Sequence, residues 1–241
     1  MIYDICANSL ALNIQKTKYI QFSGKDVRNN GCVKIHRIDC RHNINCSCAT
    51  IEQVPNIKYL GVIMDEKMCW RPHIDSVSRK VRFGLFMLSN LRNVASTRLL
   101  KLVYFAFIQT HLQYCLPAFG NCFDSAIVPL ITLQKYCIRR IARVPRLTPS
   151  APIFQQLGIL PLRTLFCYSA ACFFHCNRHV FHFNFSHSNR INNIVQHFHV
   201  RTARGKHMLQ VLLIRLINTF PLIWDVSDKR QLKAHILAFC G

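Results

Sequence analysis

Four basic side chains near residue 140 have the spacing of a phosphate-binding surface. Lys135, Arg139 and Arg143 recur at every fourth position, and Arg140 lies beside them. In a helix predicted over about 127–144, this spacing places the three on one face. Like charges at such a spacing destabilise a bare helix by roughly 0.2–0.5 kcal/mol per pair, so a counter-charge is expected. The pattern favours contact with nucleic-acid phosphates, and a solvated basic face is the alternative.

Carboxylates arranged for metal-ion catalysis are not apparent. Nucleotidyl transfer needs acidic side chains that clamp two metal ions. The ten acidic residues include no adjacent Asp pair, and the nearest substitute, Asp65-Glu66, lies in a polar segment that predicts a solvated turn. We therefore expect that this chain alone retains no catalytic residue of that kind and binds no Mg²⁺ or other cofactor.

One cysteine-bearing segment has residue types that could bind zinc. Cys46 and Cys48 are separated by a single residue, whereas zinc ligands usually come in Cys-x₂₋₄-Cys pairs. Cys32, His36 and Cys40 precede them at irregular intervals. The spacing therefore favours a hairpin loop between two strands, and we predict no metal ligand here.

A second group of histidines follows helical spacing. His175, His179 and His182 fall on one face of a predicted helix, but phenylalanines crowd the same stretch. Metal-bound histidines need carboxylate or carbonyl partners that orient the ring, and the segment offers no carboxylate. Structural histidines are favoured over a metal cluster.

The charge of the whole chain points to a polyanionic partner. Thirty-one Lys and Arg stand against ten Asp and Glu, which gives a formal net charge of +21, and Asp124 is the one acid between Ser76 and Trp224. Such a surface repels itself unless a polyanion lies against it. RNA or DNA is the expected partner through phosphate contacts, and an anionic membrane is the lesser alternative.

The sequence also indicates a compartment. Asp4 interrupts the first apolar stretch, so we expect no secretory signal, and no apolar run approaches the ~20 residues of a membrane span. Thirteen cysteines are an odd number at irregular spacing, which argues against a disulfide framework. We expect an intracellular protein of the nucleus or cytoplasm that is neither secreted nor bound to a membrane.

A hairpin followed by a helix is the organising element. Residues 57–63 are apolar and predict a strand, residues 65–67 a polar turn, and Trp70 the end of the return strand. Gly61 would lie mid-strand, at a bulge or a close backbone neighbour. Pro72 then starts a helix.

Helical periodicity continues from there. Residues 74–91 carry an apolar stripe at intervals of three and four, with Arg79 and Lys80 on other faces. The next segment, 97–119, is apolar almost all round, which is typical of a helix inside a bundle. Further helices are predicted over 151–157, 161–180, 206–218 and 228–239, with a loose loop near 185–205. The predicted fold class is α+β, with a small antiparallel β-sheet and hairpin followed by a mainly α-helical bundle.

Several short boxes recur in an order that resembles a known family. They are Asn8–Asn13, Lys16–Ile20, Ile51–Val54, Tyr59–Val62, and Asp65 with Trp70 and His73-Ile74. Weaker matches are Leu133–Lys135, Leu157–Leu162 and Asn218–Pro221. On these residues the chain resembles the C-terminal portion of the reverse transcriptase (RNA-directed DNA polymerase) of non-LTR retrotransposons of the jockey-like LINE type.

The resemblance implies a role for each region. Residues 1–70 would be a palm remnant with a primer-grip hairpin, 71–147 a thumb, and 148–241 a C-terminal helical region. Tyr59, Leu60 and Gly61 would contact the primer-template, as would Arg79 and Lys80 on the first thumb helix.

Two further expectations concern catalysis. Lys16 matches the lysine proposed in this superfamily to protonate the leaving pyrophosphate, and a surface lysine before a strand is the alternative. The aspartates and Mg²⁺ of the intact polymerase would come with an N-terminal palm and fingers region, which would be a partner of this chain. The fragment would then bind nucleic acid without polymerising.

Three other readings stay open: a freestanding basic RNA- or DNA-binding module, a transposon remnant without function, and a zinc protein.

Overall fold

The computed structural model describes residues 13–22, 33–36, 40, 46–177, 179, 185–186, 194–195, 200, 202–219 and 231. The chain divides into two compact units, Met1–His73 and Ile74–Gly241. Strands dominate the described part of the first unit and helices that of the second, which confirms the predicted α+β class.

A three-stranded sheet opens the first unit. Strands β1 (Lys18–Tyr19) and β2 (Val33–Ile35) flank β3 (Ala49–Gln53), with β1 parallel and β2 antiparallel to it. The β2–β3 pair confirms the predicted hairpin around the cysteine-bearing segment. No residue of these three strands is buried. The described part of the sheet therefore has no apolar core of its own.

The predicted hairpin is present, but its turn lies earlier than predicted. Strands β4 (Asn56–Tyr59) and β5 (Val62–Asp65) pair antiparallel, with Tyr59 opposite Val62. Leu60 and Gly61 form the two-residue loop, with φ of 46° and 85°. Two-residue hairpin loops favour positive φ at both positions because this matches the twist of the strands. The predicted hairpin turn at 65–67 and the return strand to Trp70 were wrong, since Leu60 and Gly61 form the hairpin loop. Residues 66–67 form a separate turn after β5, closed by the Met68 N–H, which donates to the Asp65 carbonyl at 2.9 Å.

Asp65 holds the segment that leads from β5 into the first helix. Its Oδ2 accepts the Cys69 N–H at 2.9 Å, and its Oδ1 accepts the Trp70 N–H at 2.8 Å. The carboxylate is half-buried. The expected solvated turn is therefore a carboxylate-capped turn. His73 adds a link back to the hairpin, because its buried ring accepts the Ile63 N–H through Nδ1 at 3.4 Å.

Helix α1 (Arg71–Leu91) confirms the predicted helix after Pro72. Its stripe of Ile74, Val77, Val81 and Leu88 is buried. Gly84 lets it approach the second helical segment closely, since a Cβ there would lie 2.5 Å from Ile108 Cγ1.

The second helical segment is divided into pieces. Ser96 accepts the Leu99 N–H and caps α2 (Thr97–Tyr104), a π-helical turn follows (Phe105–Gln109), and α3 is Thr110–Gln113. Four residues at intervals of four, Leu100, Tyr104, Ile108 and Leu112, are fully buried. In a straight α-helix, residues four positions apart are displaced by ~40° around the helix axis, so the row would leave the buried face. The wider π turn has more residues per turn and offsets this displacement.

The prediction that this segment is buried all round was wrong. Leu99, Leu102, Phe105 and Phe107 are exposed. Apolar residues on every face of a helix show that no face is polar, but only neighbouring elements decide which face is covered.

Helix α4 (Leu116–Phe119) and helix α5 (Asp124–Ala142) follow; α5 was predicted over about 127–144. Gln134 of α5 is fully buried and joins three elements. Its amide nitrogen donates to the Tyr104 hydroxyl and the Leu160 carbonyl, both at 2.9 Å, and its Oε1 accepts the Leu162 N–H at 2.8 Å. Burial raises the pKa of the Tyr104 hydroxyl far above its usual range.

Helices α6 (Ser150–Leu157) and α7 (Leu162–Cys176) agree with the predicted short helix and its successor. Gly158 ends α6 with φ of 63°, a left-handed conformation that glycine adopts without strain. Gly120 lies against α7, where a Cβ would be 2.3 Å from the Phe166 ring.

The remaining described elements are short. Strands β6 (Phe185–Ser186) and β7 (Ile194–Val195) pair antiparallel inside the predicted loose loop, and helices α8 (Ala203–Lys206) and α9 (Leu209–Thr219) follow. The predicted helix over 228–239 lies outside the described residues, as do His182 and the box Asn8–Leu12.

Among the described residues, no single helix has the length and apolar character needed to cross a membrane. The pair α6 and α7, bent by 49°, meets both criteria only when its two helices are taken together.

Candidate nucleic-acid interface

Five arginines line one cavity in the helical unit, here called the arginine cavity. Its volume is about 430 Å³. The lining residues are Leu85, Arg92, Tyr136, Arg139, Arg140, Arg143, Val144, Pro145 and Arg146. They come from α1 and the residue after it, the C-terminal half of α5, and the segment that follows α5.

The end of α5 places these arginines together. Arg143 adopts φ of 59° and ends the helix. Its backbone N–H donates to the carbonyls of Arg139 and Arg140. Its guanidinium donates to the carbonyls of Arg92 and Ala95. These bonds hold the connection between α1 and α2 against the end of α5. Arg143 is thus a structural member of the cavity as well as a source of charge.

Arg139 and Arg146 also have partners within the chain. Arg139 Nε donates to the Thr148 carbonyl at 2.8 Å. Arg146 donates to the Tyr136 hydroxyl at 2.8 Å, and its guanidinium carbon lies 5.0 Å from the centroid of that ring. Arginine stacked on an aromatic face keeps its outer N–H groups free to bind an anion.

Arg92 and Arg140 differ from these two. Among the described residues, neither guanidinium has a hydrogen-bond or ion-pair partner. Arg140 is exposed and Arg92 is half-buried. Both lie on the cavity wall, so they are the side chains best placed to bind an external anion.

No carboxylate among the described residues lies within ion-pair distance of the five arginines. Asp124, the one acid between Ser76 and Trp224, is paired with Arg163 instead. The hydrogen bond and the charge of Arg163 lower the pKa of the Asp124 carboxyl. The positive charge of the cavity is therefore not neutralised within the described part of the chain.

The structure brings some predicted site residues together and separates others. Arg139, Arg140 and Arg143 share the cavity, but Lys135 is half-buried and does not line it. Arg79 and Lys80 are exposed on α1, away from the lining. Burial and the Lys80 charge lower the pKa of His111 on α3.

The predicted primer-grip residues occupy the tip of the β4–β5 hairpin. Tyr59 is 62% exposed and Leu60 is 73% exposed, and Gly61 completes the loop. A tip without charge and with one glycine offers backbone groups and an aromatic ring to a ligand. Such groups bind nucleic acid without reading sequence.

Lys16 ends a 3₁₀ turn (Ile14–Lys16) directly before β1, and its side chain is exposed. Its backbone N–H donates to Asn13 Oδ1 at 3.1 Å. This position agrees with a lysine before a strand and does not test the proposed acid role.

Three polar cavity residues were missed by the sequence analysis as members of this site, namely Arg92, Tyr136 and Arg146. Arg92 lies far from α5 along the chain, so helical spacing could not associate them. Tyr136 lies within the basic group, directly after Lys135, and the spacing of charges does not show that an aromatic ring belongs to the same surface. The four-residue gap between Tyr136 and Arg140 was the one available signal.

Comparisons with protein-family models, with curated proteins and with solved structures find no match.

Proposed function

We propose that this chain binds the phosphate backbone of RNA or DNA through the arginine cavity, as the nucleic-acid-holding part of a retrotransposon-type reverse transcriptase. The observation that carries the proposal is the gathering of five arginines in one cavity, with no carboxylate of the described residues within ion-pair distance. Planar guanidinium groups bind phosphate oxygens in pairs, and a set of them neutralises several phosphates.

The exposed hairpin tip supports the same reading. Tyr59, Leu60 and Gly61 present an uncharged loop, which suits contact with a strand end better than contact with a run of phosphates. The polymerase assignment itself rests on the resemblance of the sequence boxes. The palm, the fingers and their Mg²⁺ would be supplied by polypeptide outside these 241 residues.

The sharpest test removes charge from the cavity without removing structural bonds. Arg92→Gln and Arg140→Gln should each weaken binding of a labelled RNA–DNA hybrid by about 5- to 10-fold. Each should also reduce the salt slope of log K by about 0.7–0.9 if one phosphate contact is lost. Fluorescence anisotropy across a salt series measures both quantities.

Arg98→Gln is the matched control, because Arg98 is exposed on α2 and does not line the cavity. It removes the same charge outside the cavity. It should change the affinity less than 2-fold, because salt screens a charge that does not contact a phosphate. Equal losses in all three variants, or affinity independent of salt, would contradict the proposed site.

The form of nucleic acid separates two versions of the function. A thumb should prefer a primer-template hybrid or duplex over a single strand, because it contacts two backbones. A freestanding coating module should bind single strands equally well. Competition of the labelled hybrid with unlabelled single-stranded RNA decides between them.

The chain by itself should not extend a primer. Its acidic residues include no adjacent Asp pair, so the two-metal site would have to come from elsewhere. Incorporation of nucleotide in the presence of Mg²⁺ or Mn²⁺ would contradict this. We propose a nuclear or cytoplasmic location for the same protein, and a fluorescent fusion expressed in cells tests it.

A further inference from the structure

Four thiol and imidazole side chains converge beside the three-stranded sheet. They are His36, Cys40, Cys46 and Cys48. Their Nδ1 or Nε2 and Sγ atoms all lie within 4.8 Å of one another, and all four residues are half-buried. None of the three cysteines is joined in a disulfide.

We propose that these four residues form a structural zinc site, here called the Cys₃His site. Three thiolates and one imidazole are a standard zinc ligand set, and soft sulfur ligands select Zn²⁺ over Mg²⁺ or Ca²⁺. With four protein ligands the coordination is closed. The site therefore assigns the metal a role in stability and leaves no open position for catalysis.

The distances agree with tetrahedral coordination. His36 Nδ1 lies 3.3 Å from Cys40 Sγ and 3.5 Å from Cys46 Sγ. In a tetrahedron with Zn–S of about 2.3 Å and Zn–N of about 2.05 Å, the N···S edge is about 3.6 Å. A single ring nitrogen can form only one ordinary hydrogen bond, as donor or as acceptor. Two sulfur atoms lie from the same nitrogen at about the N···S distance of a zinc tetrahedron. A metal ion bound by all three atoms explains this arrangement better than hydrogen bonds do.

Strand pairing explains how irregular spacing yields this cluster. Ile35 pairs with Ala49, so the next positions, His36 and Cys48, face each other across the end of the β2–β3 ladder. Cys40 and Cys46 belong to the connection that those two residues close. The expectation of no metal ligand was drawn from spacing along the chain, whereas the register of the two strands supplies the missing proximity.

The sheet buries little apolar surface, so a bound metal ion would contribute to its stability. None of the described residues in β1, β2 or β3 is buried, so apolar packing contributes little to this part of the first unit. Small folds of this kind depend on a metal or disulfide staple. Closing the ends of the β2–β3 ladder through Zn²⁺ would couple metal binding to strand pairing.

Charge also favours the site. Three thiolates and a neutral imidazole around Zn²⁺ carry a net charge of −1, and binding releases the thiol protons. The Lys34 ammonium lies close by, since it donates to the Cys46 carbonyl at 3.4 Å. A cation beside the excess negative charge stabilises the loaded site.

The test uses the full chain purified in reductant and loaded with Co²⁺ in place of Zn²⁺. Tetrahedral Co²⁺ with thiolate ligands absorbs in the visible range and shows a sulfur-to-cobalt band whose intensity follows the number of thiolates. We expect one equivalent of metal, with both absorptions. Cys46→Ser and Cys48→Ser should each remove a third of the sulfur band or abolish binding.

Cys69→Ser is the matched control, since Cys69 is a half-buried thiol in the same unit outside the cluster. It should leave the spectrum unchanged. Loss of metal in the serine variants could also result from misfolding, and His36→Cys separates the two explanations. This variant should keep the metal and increase the sulfur band by about one third, because a fourth thiolate binds.

Hydrogen exchange gives a second readout. Removing zinc with a chelator should speed amide exchange in Val33–Ile35 and Ala49–Gln53 by at least about 10-fold, and leave helix α5 unchanged. Absence of stoichiometric metal, an unchanged spectrum in Cys46→Ser and Cys48→Ser, or exchange that does not respond to chelation would each overturn the proposal.

Discussion

A single carboxylate, Asp65, decides the path of the chain between the hairpin and the first helix. It accepts the N–H groups of Cys69 and Trp70 while Met68 and Trp70 adopt φ of 49° and 63°. Positive φ at non-glycine residues costs of order 1–3 kcal/mol and persists only where other contacts enforce it. The two bonds from Asp65 supply that enforcement.

Asp65→Ala should therefore lower the free energy of unfolding of the first unit by about 2 kcal/mol, because two charge-assisted hydrogen bonds are lost. Urea unfolding followed by the fluorescence of Trp70, which lies in this turn, measures the change.

Glu66→Ala is the control for that experiment. Glu66 is adjacent and half-buried, and its side chain has no hydrogen-bond or ion-pair partner among the described residues. Its replacement should change stability by less than about 0.5 kcal/mol. Similar losses in the two variants would show that Asp65 has no special role in the turn.

At the scale of elements, Gly84 lets helix α1 pack closely against the π-helical turn. A Cβ at Gly84 would lie 2.5 Å from Ile108 Cγ1 and 3.4 Å from the Phe107 carbonyl oxygen. Ile108 is fully buried, so it has little space in which to move. The absence of a side chain at Gly84 is therefore a packing requirement.

Gly84→Ala should destabilise the helical unit by about 1 kcal/mol, because overpacking costs about 1–3 kcal/mol and improved helix propensity returns only about 1. Thermal or urea unfolding followed by far-ultraviolet circular dichroism measures it.

The same substitution in an Ile108→Ala background should be neutral or stabilising, since the opposing side chain is gone. A double-mutant cycle with coupling of at least about 0.5 kcal/mol confirms the contact. Additive effects would mean that the two helices are not in close contact at this point.

For the molecule as a whole, a net charge of +21 has two consequences of opposite sign. Salt screens self-repulsion and should stabilise the fold, and it competes with bound phosphate and should weaken nucleic-acid binding. A protein whose arginines serve only as solvated surface would show the first effect without the second.

Raising salt from about 50 mM to about 200 mM should increase the melting temperature by about 2–4 °C if screening contributes about 1 kcal/mol, and weaken hybrid binding by at least about 10-fold. Scanning fluorimetry and anisotropy measure the two responses on one preparation.

Sucrose is the control, since it raises the melting temperature by exclusion without screening charge. It should leave the affinity unchanged. A melting temperature that falls with salt would contradict net self-repulsion in the folded state.

Local patterns predicted the helices better than the hairpin. The stripe of α1 and the end of α6 at Leu157 were predicted correctly because helix periodicity and helix termini depend on neighbouring residues. The turn of the β4–β5 hairpin was misplaced to 65–67, because the polar residues there looked like a turn. Those residues do form a turn, but it follows β5 and leads into α1, and the hairpin loop itself depends on positive φ at Leu60 and Gly61.

Composition and short-range periodicity were enough to predict the α+β class, the main helices, the excess of cations and the scarcity of acids near them. Contacts between distant parts of the chain became apparent only in the folded structure. Arg92 joins Arg139, Arg140 and Arg143 because α1 ends beside the end of α5, and His36 meets the cysteines because strand pairing closes their loop. Proximity of residues far apart in the chain is a property of packing and register, which spacing along the sequence does not contain.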